Sequence, residues 1–231
     1  MSAIAETPAR SLRTTLPLET GDHLGRAEFE RRYAAMPGVK KAELIEGVVY
    51  IGSPVRFESH GSPHGWVMTW LGVYMAATPG VSLGDNVTVR LDADNEVQSD
   101  ALLRLDPARG GQSRIGSDDY VEGPPELVVE IAASSASYDL HDKKRIYRRT
   151  GVREYLVWVV AERRLEWWRL QDGEYLSLLP DTDGVTRSTV LPGLALAGEA
   201  LLAGDLARVL EVLQAALTGP EHTAFIASSQ Q

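Results

Sequence analysis

The sequence contains no cysteine, which excludes a disulfide framework and any thiolate metal site. It also has no apolar run long enough to span a bilayer, and residues 1–20 lack the apolar core of a signal peptide. These absences predict a cytoplasmic protein without a membrane-spanning segment.

Basic residues are also scarce. Lys and Arg number 23 against 32 Asp and Glu, which gives a formal net charge of −9. A protein that coats nucleic acid along its whole surface is therefore not expected. Residues 139–154 are the exception, with six Lys or Arg against three Asp or Glu. A solvated helix face explains this basic stretch most simply, and a local binding site is the alternative.

The length and the hydrophobic content of 44% suffice for one well-buried core. We expect a single domain over residues 23–219, with a flexible leader (1–22) and a flexible tail (220–231). The hydrophobic pattern predicts helices at 25–36, 64–77 and 204–218, one strand at 97–105, and hairpin turns at 46–47 and 171–173. This mixture indicates an α/β (α+β) fold with a mixed β-sheet flanked by helices.

Residues 126–158 form the central unit of the chain, predicted as strand, Ser-rich turn, helix and strand. Alternation along the first strand places Glu130 on the face opposite Leu127, Val129 and Ile131. A carboxylate among apolar neighbours is costly unless it has a partner. A metal ion, a buried base or solvent at a cleft could each supply that partner.

The helix of this unit carries three residues of interest on one face. Asp139, Lys143 and Tyr147 are spaced i, i+4 and i+8, and Gly151 is placed to end the helix in the left-handed conformation. The spacing therefore directs a lysine toward the strand that carries Glu130.

A second carboxylate lies in the predicted strand 97–105, where Asp100 shares a face with Leu102 and Arg104. Two carboxylates and a lysine suit metal-assisted phosphodiester hydrolysis, because Mg²⁺ prefers oxygen ligands and a cation offsets charge on the transition state. Structural ion pairs account for the same residues equally well.

The central unit closely resembles the Uma-two family of restriction endonucleases, within the PD-(D/E)xK nuclease superfamily. The specific part of the match reads Asp139-x₃-Lys143-x₃-Tyr147, then Gly151-Val-Arg-Glu-Tyr155. Weaker matches extend the resemblance over roughly residues 25–180.

The resemblance implies a role for each candidate residue. Asp100 would be the aspartate of the PD motif and a metal ligand, and Glu130 would be the acidic residue of the second half-motif and share the metal. Lys143 would be the catalytic lysine, moved from the strand to the helix, which agrees with Ala132 at the usual lysine position. The resemblance further implies Mg²⁺ (or Mn²⁺) as cofactor, DNA as substrate and a homodimer.

Three residues are candidates for supporting roles: Glu46, Asp139 and Tyr147. Glu46 would be the extra carboxylate that some nucleases of this superfamily carry on an N-terminal element, or else a surface residue beside a turn. Tyr147 fits a packed ring with a hydrogen-bonded hydroxyl better than a catalyst.

The sequence departs from the family pattern in places. Ser99 replaces the usual proline, and the turn after the Glu130 strand lacks proline. Trp158-Val159 stands where the family has a Val-Asp pair. The missing acid and the acidic net charge support an alternative function, a catalytically silent binding or assembly module with the nuclease fold.

The remaining polar and aromatic candidates are assigned structural roles. His60 and His141 are expected at the surface, and His64 at a helix start. Trp167 and Trp168 are adjacent in a strand and face opposite ways. One of them should be in the core and the other exposed or at a dimer interface.

Overall fold

The computed structural model describes residues 15–133 and 135–227 of the chain. Most of the predicted leader, residues 1–14, lies outside the described residues, as do Ser134 of the predicted turn and residues 228–231 of the predicted tail. Residues 15–22 belong to the fold, because Leu18 is buried and the Gly21 N–H donates to the Val49 carbonyl at 2.8 Å.

The described residues contain α-helices and short helical turns. The helices are α1 (Arg26–Ala34), α2 (Ser62–Ala77), α3 (Lys144–Thr150), α4 (Gly198–Ala203), α5 (Leu206–Leu217) and α6 (Pro220–Ala227). Phe57–Gly61 and Tyr138–Lys143 are π-helical, and Pro107–Arg109 is a 3₁₀ turn. The predicted helices at 25–36 and 64–77 are confirmed, and the one at 204–218 corresponds to α5.

The strands form two large sheets and one small hairpin. They are β1 (Ala42–Ile45), β2 (Val48–Ile51), β3 (Val81–Asp85), β4 (Thr88–Arg90), β5 (Glu96–Gln98), β6 (Ala101–Leu105), β7 (Arg114–Ile115), β8 (Val121–Glu122), β9 (Leu127–Ala132), β10 (Glu154–Val159), β11 (Arg164–Gln171), β12 (Glu174–Ser177), β13 (Val185–Arg187) and β14 (Ala195–Ala197).

The first sheet has the order β2-β1-β5-β4-β8-β7 and the second the order β12-β11-β10-β9-β6-β3. Parallel pairs, β4–β8 and β9–β10, occur beside antiparallel ones in both sheets. The fold is therefore mixed α/β with helices flanking the sheets, as predicted.

Both predicted hairpin turns are confirmed. Glu46 and Gly47 have φ of 51° and 76°, and Asp172 and Gly173 have φ of 51° and 80°. Two successive residues with positive φ match the twist of the flanking strands, which is why Gly follows an acidic residue at each turn.

The second sheet is buried on both faces. Leu127, Val129 and Ile131 of β9 pack against α2 and α5, and Val128 packs in a separate core on the other face. The Tyr138–Lys143 turn and α3 connect β9 to the parallel strand β10, and Gly151, with φ of 96°, ends α3 as predicted.

The single strand predicted at 97–105 is wrong. Residues 96–105 form two strands, β5 in the first sheet and β6 in the second, and the chain crosses between the sheets at Ser99-Asp100. The crossing is stabilised because Asp100 Oδ2 accepts a hydrogen bond from the Ile131 N–H at 2.7 Å. Asp100 therefore precedes β6 instead of lying inside a strand.

The flexible tail predicted at 220–231 is also wrong over its described part, because residues 220–227 form α6. Pro220 occupies the first turn, where its missing N–H costs nothing. His222 is buried, and its ring is hydrogen-bonded to Thr78 and to the Leu217 carbonyl.

The expected exposed tryptophan is a third correction. Trp167 and Trp168 face opposite sides of β11, but each is buried in its own core. Both faces of the second sheet are covered. Successive side chains of β11 therefore point into two different cores, and neither face points to solvent.

In the part of the chain that the structure describes, the helices are all too short or too polar to cross a bilayer.

Candidate active site

Glu130 is the centre of a buried polar cluster on β9. Its carboxylate is 2% exposed, and Oε1 accepts hydrogen bonds from Lys143 Nζ at 3.0 Å and from the Tyr147 hydroxyl at 2.9 Å. Both bonds end on Oε1, so neither occupies Oε2. The helix face predicted from the spacing of Lys143 and Tyr147 is thus the face that contacts Glu130.

Asp100 lies opposite Glu130, just before the neighbouring strand β6. In the antiparallel ladder of β6 and β9, Ala101 pairs with Val129, so continuing the ladder by one residue places Asp100 beside Glu130. Asp100 thus directly precedes β6, the antiparallel neighbour of β9, and it stays a prediction that the two carboxylates share one cation.

Lys143 is buried among carboxylates and is 3% exposed. Its Nζ lies 2.9 Å from Glu43 Oε1, 3.0 Å from Glu130 Oε1 and 3.6 Å from Asp139 Oδ1. The next residue, Lys144, turns away, and its Nζ lies 3.6 Å from the centre of the Trp168 ring. The predicted helix register is therefore confirmed.

Several cluster residues were missed in the sequence. Lys41 Nζ lies 3.5 Å from Asp100 Oδ1, and His60 Nε2 lies 3.3 Å from Asp100 Oδ2, although His60 was expected at the surface. His64 Nε2 is 3.0 Å from the Asp100 carbonyl oxygen. Lys41 comes from a loop, His60 from the short π-helical turn and His64 from the start of α2, where no periodic pattern indicates direction.

The position of Glu43, by contrast, was indicated by the alternation of residues in the sequence. It alternates with Leu44 on β1 and shares its face with Ile45, which packs in the same core as Val128 of β9. The structure brings Glu43, not Glu46, to Lys143. Glu46 lies in the hairpin turn, and its carboxylate is 2.6 Å from Arg145 and 3.3 Å from Arg149.

The electrostatic surroundings separate the two central carboxylates. Burial alone would raise the pKa of Asp100, but His60, Lys41 and the Ile131 N–H outweigh it and hold that pKa below its usual range. Burial raises the pKa of Glu130, and the charges of Asp100 and Asp139 add to the rise against the opposing effect of Lys143.

Lys143 is held in its charged form. Burial would lower its pKa, but Glu130, Glu43 and Asp139 outweigh burial and raise the pKa well above the usual value. The two pKa values are therefore raised for different reasons: burial and neighbouring carboxylates raise that of Glu130, whereas the carboxylates alone raise that of Lys143 against burial.

The donor set fits a hard divalent cation. Glu43, Asp100, Glu130 and Asp139 bring four carboxylates, while Lys41 and Lys143 bring two ammonium groups, so the fully ionised set carries two excess negative charges. Within residues 15–133 and 135–227, no group of three or more His, Asp or Glu side chains is arranged to coordinate a metal ion. Mg²⁺ commonly uses one or two carboxylates and keeps several waters, so Asp100 and Glu130 would suffice.

The fold and the cluster define a class, that of restriction-endonuclease-like α/β proteins. A crystal structure of a putative nuclease belonging to DUF820 from Anabaena variabilis shares the fold, with a TM-score of 0.59 at 11% sequence identity. The match covers 75% of this chain and 96% of that one.

The family follows from the sequence itself. Residues 26–199 match the model of the Uma2 family, described as "putative restriction endonuclease", and the chain belongs to this family. No curated protein is significantly similar in sequence. Family and fold together support a nuclease.

Proposed function

We propose that the protein is a metal-dependent endodeoxyribonuclease, with Asp100 and Glu130 as ligands of Mg²⁺ (or Mn²⁺) and Lys143 as the catalytic cation. One observation carries the proposal: these three residues, from the position before β6, from β9 and from the helical segment that follows β9, meet in one buried cluster. The family supports DNA as the substrate and a homodimer as the assembly.

The bound cation would supply Lewis acidity toward a phosphate oxygen and an adjacent water. The protein's own residues set the electrostatics. Because its pKa is raised, Lys143 keeps its proton at neutral pH and offsets negative charge that develops on the phosphate. The Tyr147 hydroxyl holds Glu130 in one orientation through Oε1.

A catalytically silent binding or assembly module is the second candidate. The observation that favours it is the degree of ion pairing: Lys143 lies within 4 Å of Glu43, Glu130 and Asp139, and Lys41 faces Asp100. Such a network could be purely structural. A silent module would bind no Mg²⁺ through Asp100 and Glu130, and calorimetric titration distinguishes the two functions.

The test of the first candidate is cleavage of plasmid, linear duplex and single-stranded DNA with Mg²⁺ or Mn²⁺. Asp100→Asn and Glu130→Gln should each lower the cleavage rate by at least about 100-fold and remove the Mg²⁺ heat signal. Glu174→Gln, an exposed residue paired with Arg148, is the matched control and should change neither. Wild-type protein that cleaves none of these DNA forms would contradict the proposal.

A further inference from the structure

The segment between β2 and α2 runs along the rim of the cluster. It follows the end of β2, where Tyr50 pairs with Glu43 across the β1–β2 ladder, so both side chains lie on one face of the first sheet. It ends at His60, 3.3 Å from Asp100. The segment therefore connects the Glu43 side of the cluster to the Asp100 side.

Large side chains on this segment are exposed to solvent. Phe57 is 72% exposed and Val55 is 70% exposed. Between them, Arg56 is exposed and makes no ion pair within the described part of the chain. Two apolar groups and a cation without an ion pair are thus exposed on the segment that leads to the cluster.

An aromatic pair completes the rim. Tyr138, directly before Asp139 in the chain, packs edge-on against Tyr50 with ring centroids 4.6 Å apart and an interplanar angle of 67°. Tyr138 remains 39% exposed. Tyr50 supports the ring from one side, and a flat group could stack on the remaining surface.

We propose that this rim (Tyr50, Val55, Arg56, Phe57 and Tyr138) binds unpaired nucleotides next to the cluster, so that the preferred substrate is a single-stranded or locally unpaired nucleic acid. The inference rests on the proposed function for the identity of the neighbouring site. Every base has a π-face that stacks on an aromatic ring, whereas bases inside a duplex are already stacked. Arg56 would contact a phosphate of the same strand.

The position of the rim beside the proposed nuclease site favours a nucleic acid over a protein partner, because a strand bound at the cluster would extend past the site. Arg and aromatic rings are also enriched in protein interfaces, so composition alone does not separate the two kinds of partner. Rings that stack bases, together with a cation that contacts the backbone, are the elements of single-strand binding sites. A contact between copies of the chain is the alternative, and the test includes it.

The test measures binding without cleavage. Fluorescein-labelled 20-nucleotide single-stranded DNA, the same sequence as RNA, and the DNA duplex are titrated with full-length protein in EDTA, with anisotropy as the readout. Single strands should bind about 10-fold or more tightly than the duplex. Phe57→Ala and Tyr138→Ala should each weaken single-strand binding by about 5- to 100-fold and leave duplex binding unchanged.

A matched control separates the rim from general hydrophobicity. Leu179 is 77% exposed and lies in the loop after β12, so Leu179→Ala should leave all affinities unchanged. A 2-aminopurine base in the single strand should lose fluorescence on binding to wild type and keep it with Tyr138→Ala. The DNA and RNA arms show which sugar the rim accepts.

Two outcomes overturn the inference: equal affinities for single strand and duplex, or rim variants that change the sedimentation coefficient but not the affinity. Cleavage with Mg²⁺ is measured separately. Cleavage of duplex DNA that is unaffected by Phe57→Ala defeats the inference and leaves the proposed function standing. Rim-dependent binding without any cleavage supports the inference about the rim and contradicts the proposed nuclease function.

Discussion

At the scale of single residues, the notable feature is the difference between two adjacent lysines. Lys143 is surrounded by carboxylates, whereas Lys144 lies over the Trp168 ring. Helix geometry separates neighbouring side chains by about 100°, so two identical side chains lie in different environments. One side chain belongs to the cluster and the other to the protein surface.

This difference predicts opposite outcomes for matched variants. Lys143→Ala should lower the cleavage rate by about 100-fold or more and leave Mg²⁺ binding in place, because lysine is not a metal ligand. Lys144→Ala should keep cleavage, cost about 0.5–1 kcal/mol of stability from the ring contact and weaken DNA binding only at low salt. Gel assays and calorimetry measure both. An essential Lys144 beside a dispensable Lys143 would refute the assignment.

A second residue-scale prediction concerns Glu96, outside the cluster. Burial and the neighbouring Glu30 raise the pKa of Glu96 to about 7, against the opposing effect of Arg90. The folded state holds this proton more tightly than the unfolded state does. Protonated Glu96 therefore stabilises the fold fully below about pH 4.5, and this contribution to stability is lost as pH rises through about 7.

Glu96→Gln keeps the shape of the protonated side chain and removes the titration. Near pH 8 the variant should therefore be more stable than wild type by about 1–3 kcal/mol, and at pH 5 the difference should shrink. Urea unfolding at the two pH values provides the measurement, with the exposed Glu174→Gln as control. An unchanged difference between the two pH values would argue against the raised pKa.

The residue-scale features also show how far sequence reasoning reached. Glu130, Lys143 and Tyr147 lie on regular elements, so periodicity was sufficient to predict that they face each other. Lys41 comes from a loop and His60 from a single π-helical turn, and their direction depends on tertiary packing. Glu43 and Glu46 are three residues apart in one hairpin, and only the burial of the Glu43 face distinguishes them.

At the scale of elements, the error over residues 97–105 has a physical origin. The segment 97–105 has the pattern of one strand, because Ser99-Asp100 interrupts its apolar alternation only briefly. The interruption is a change of sheet, which depends on the partners β1 and β9, both far away in sequence. Local pattern indicates that a residue is extended, but not which neighbour it pairs with.

The helix α6 provides the element-scale prediction. His222 anchors it through Thr78 Oγ1 at 2.9 Å and the Leu217 carbonyl at 2.9 Å. His222→Ala should lower stability by about 2 kcal/mol and the melting temperature by about 4–8 °C. Glu221→Ala, exposed on the same helix, should have little effect. Equal melting temperatures for the two variants would mean that α6 contributes nothing.

At the scale of the whole molecule, one of the two arguments for a dimer, an exposed tryptophan, no longer applies. Trp167 and Trp168 are buried in the cores of the single chain, so neither ring is available for an interface. The family resemblance is the remaining support. Sedimentation at micromolar concentration should show a dimer, and a monomer at that concentration would contradict the prediction.

The crossing of the chain at Ser99-Asp100 has a consequence for how the site assembles. Glu43 belongs to the first sheet and Glu130 to the second, while Asp100 sits on the link between them. The cluster is consequently complete only when the two sheets are docked. With the second sheet formed alone, Asp100, Glu130 and Lys143 would already be together and Glu43 would be missing, so during refolding the contact between Lys143 and Glu43 should form when the two sheets dock and not with the appearance of secondary structure.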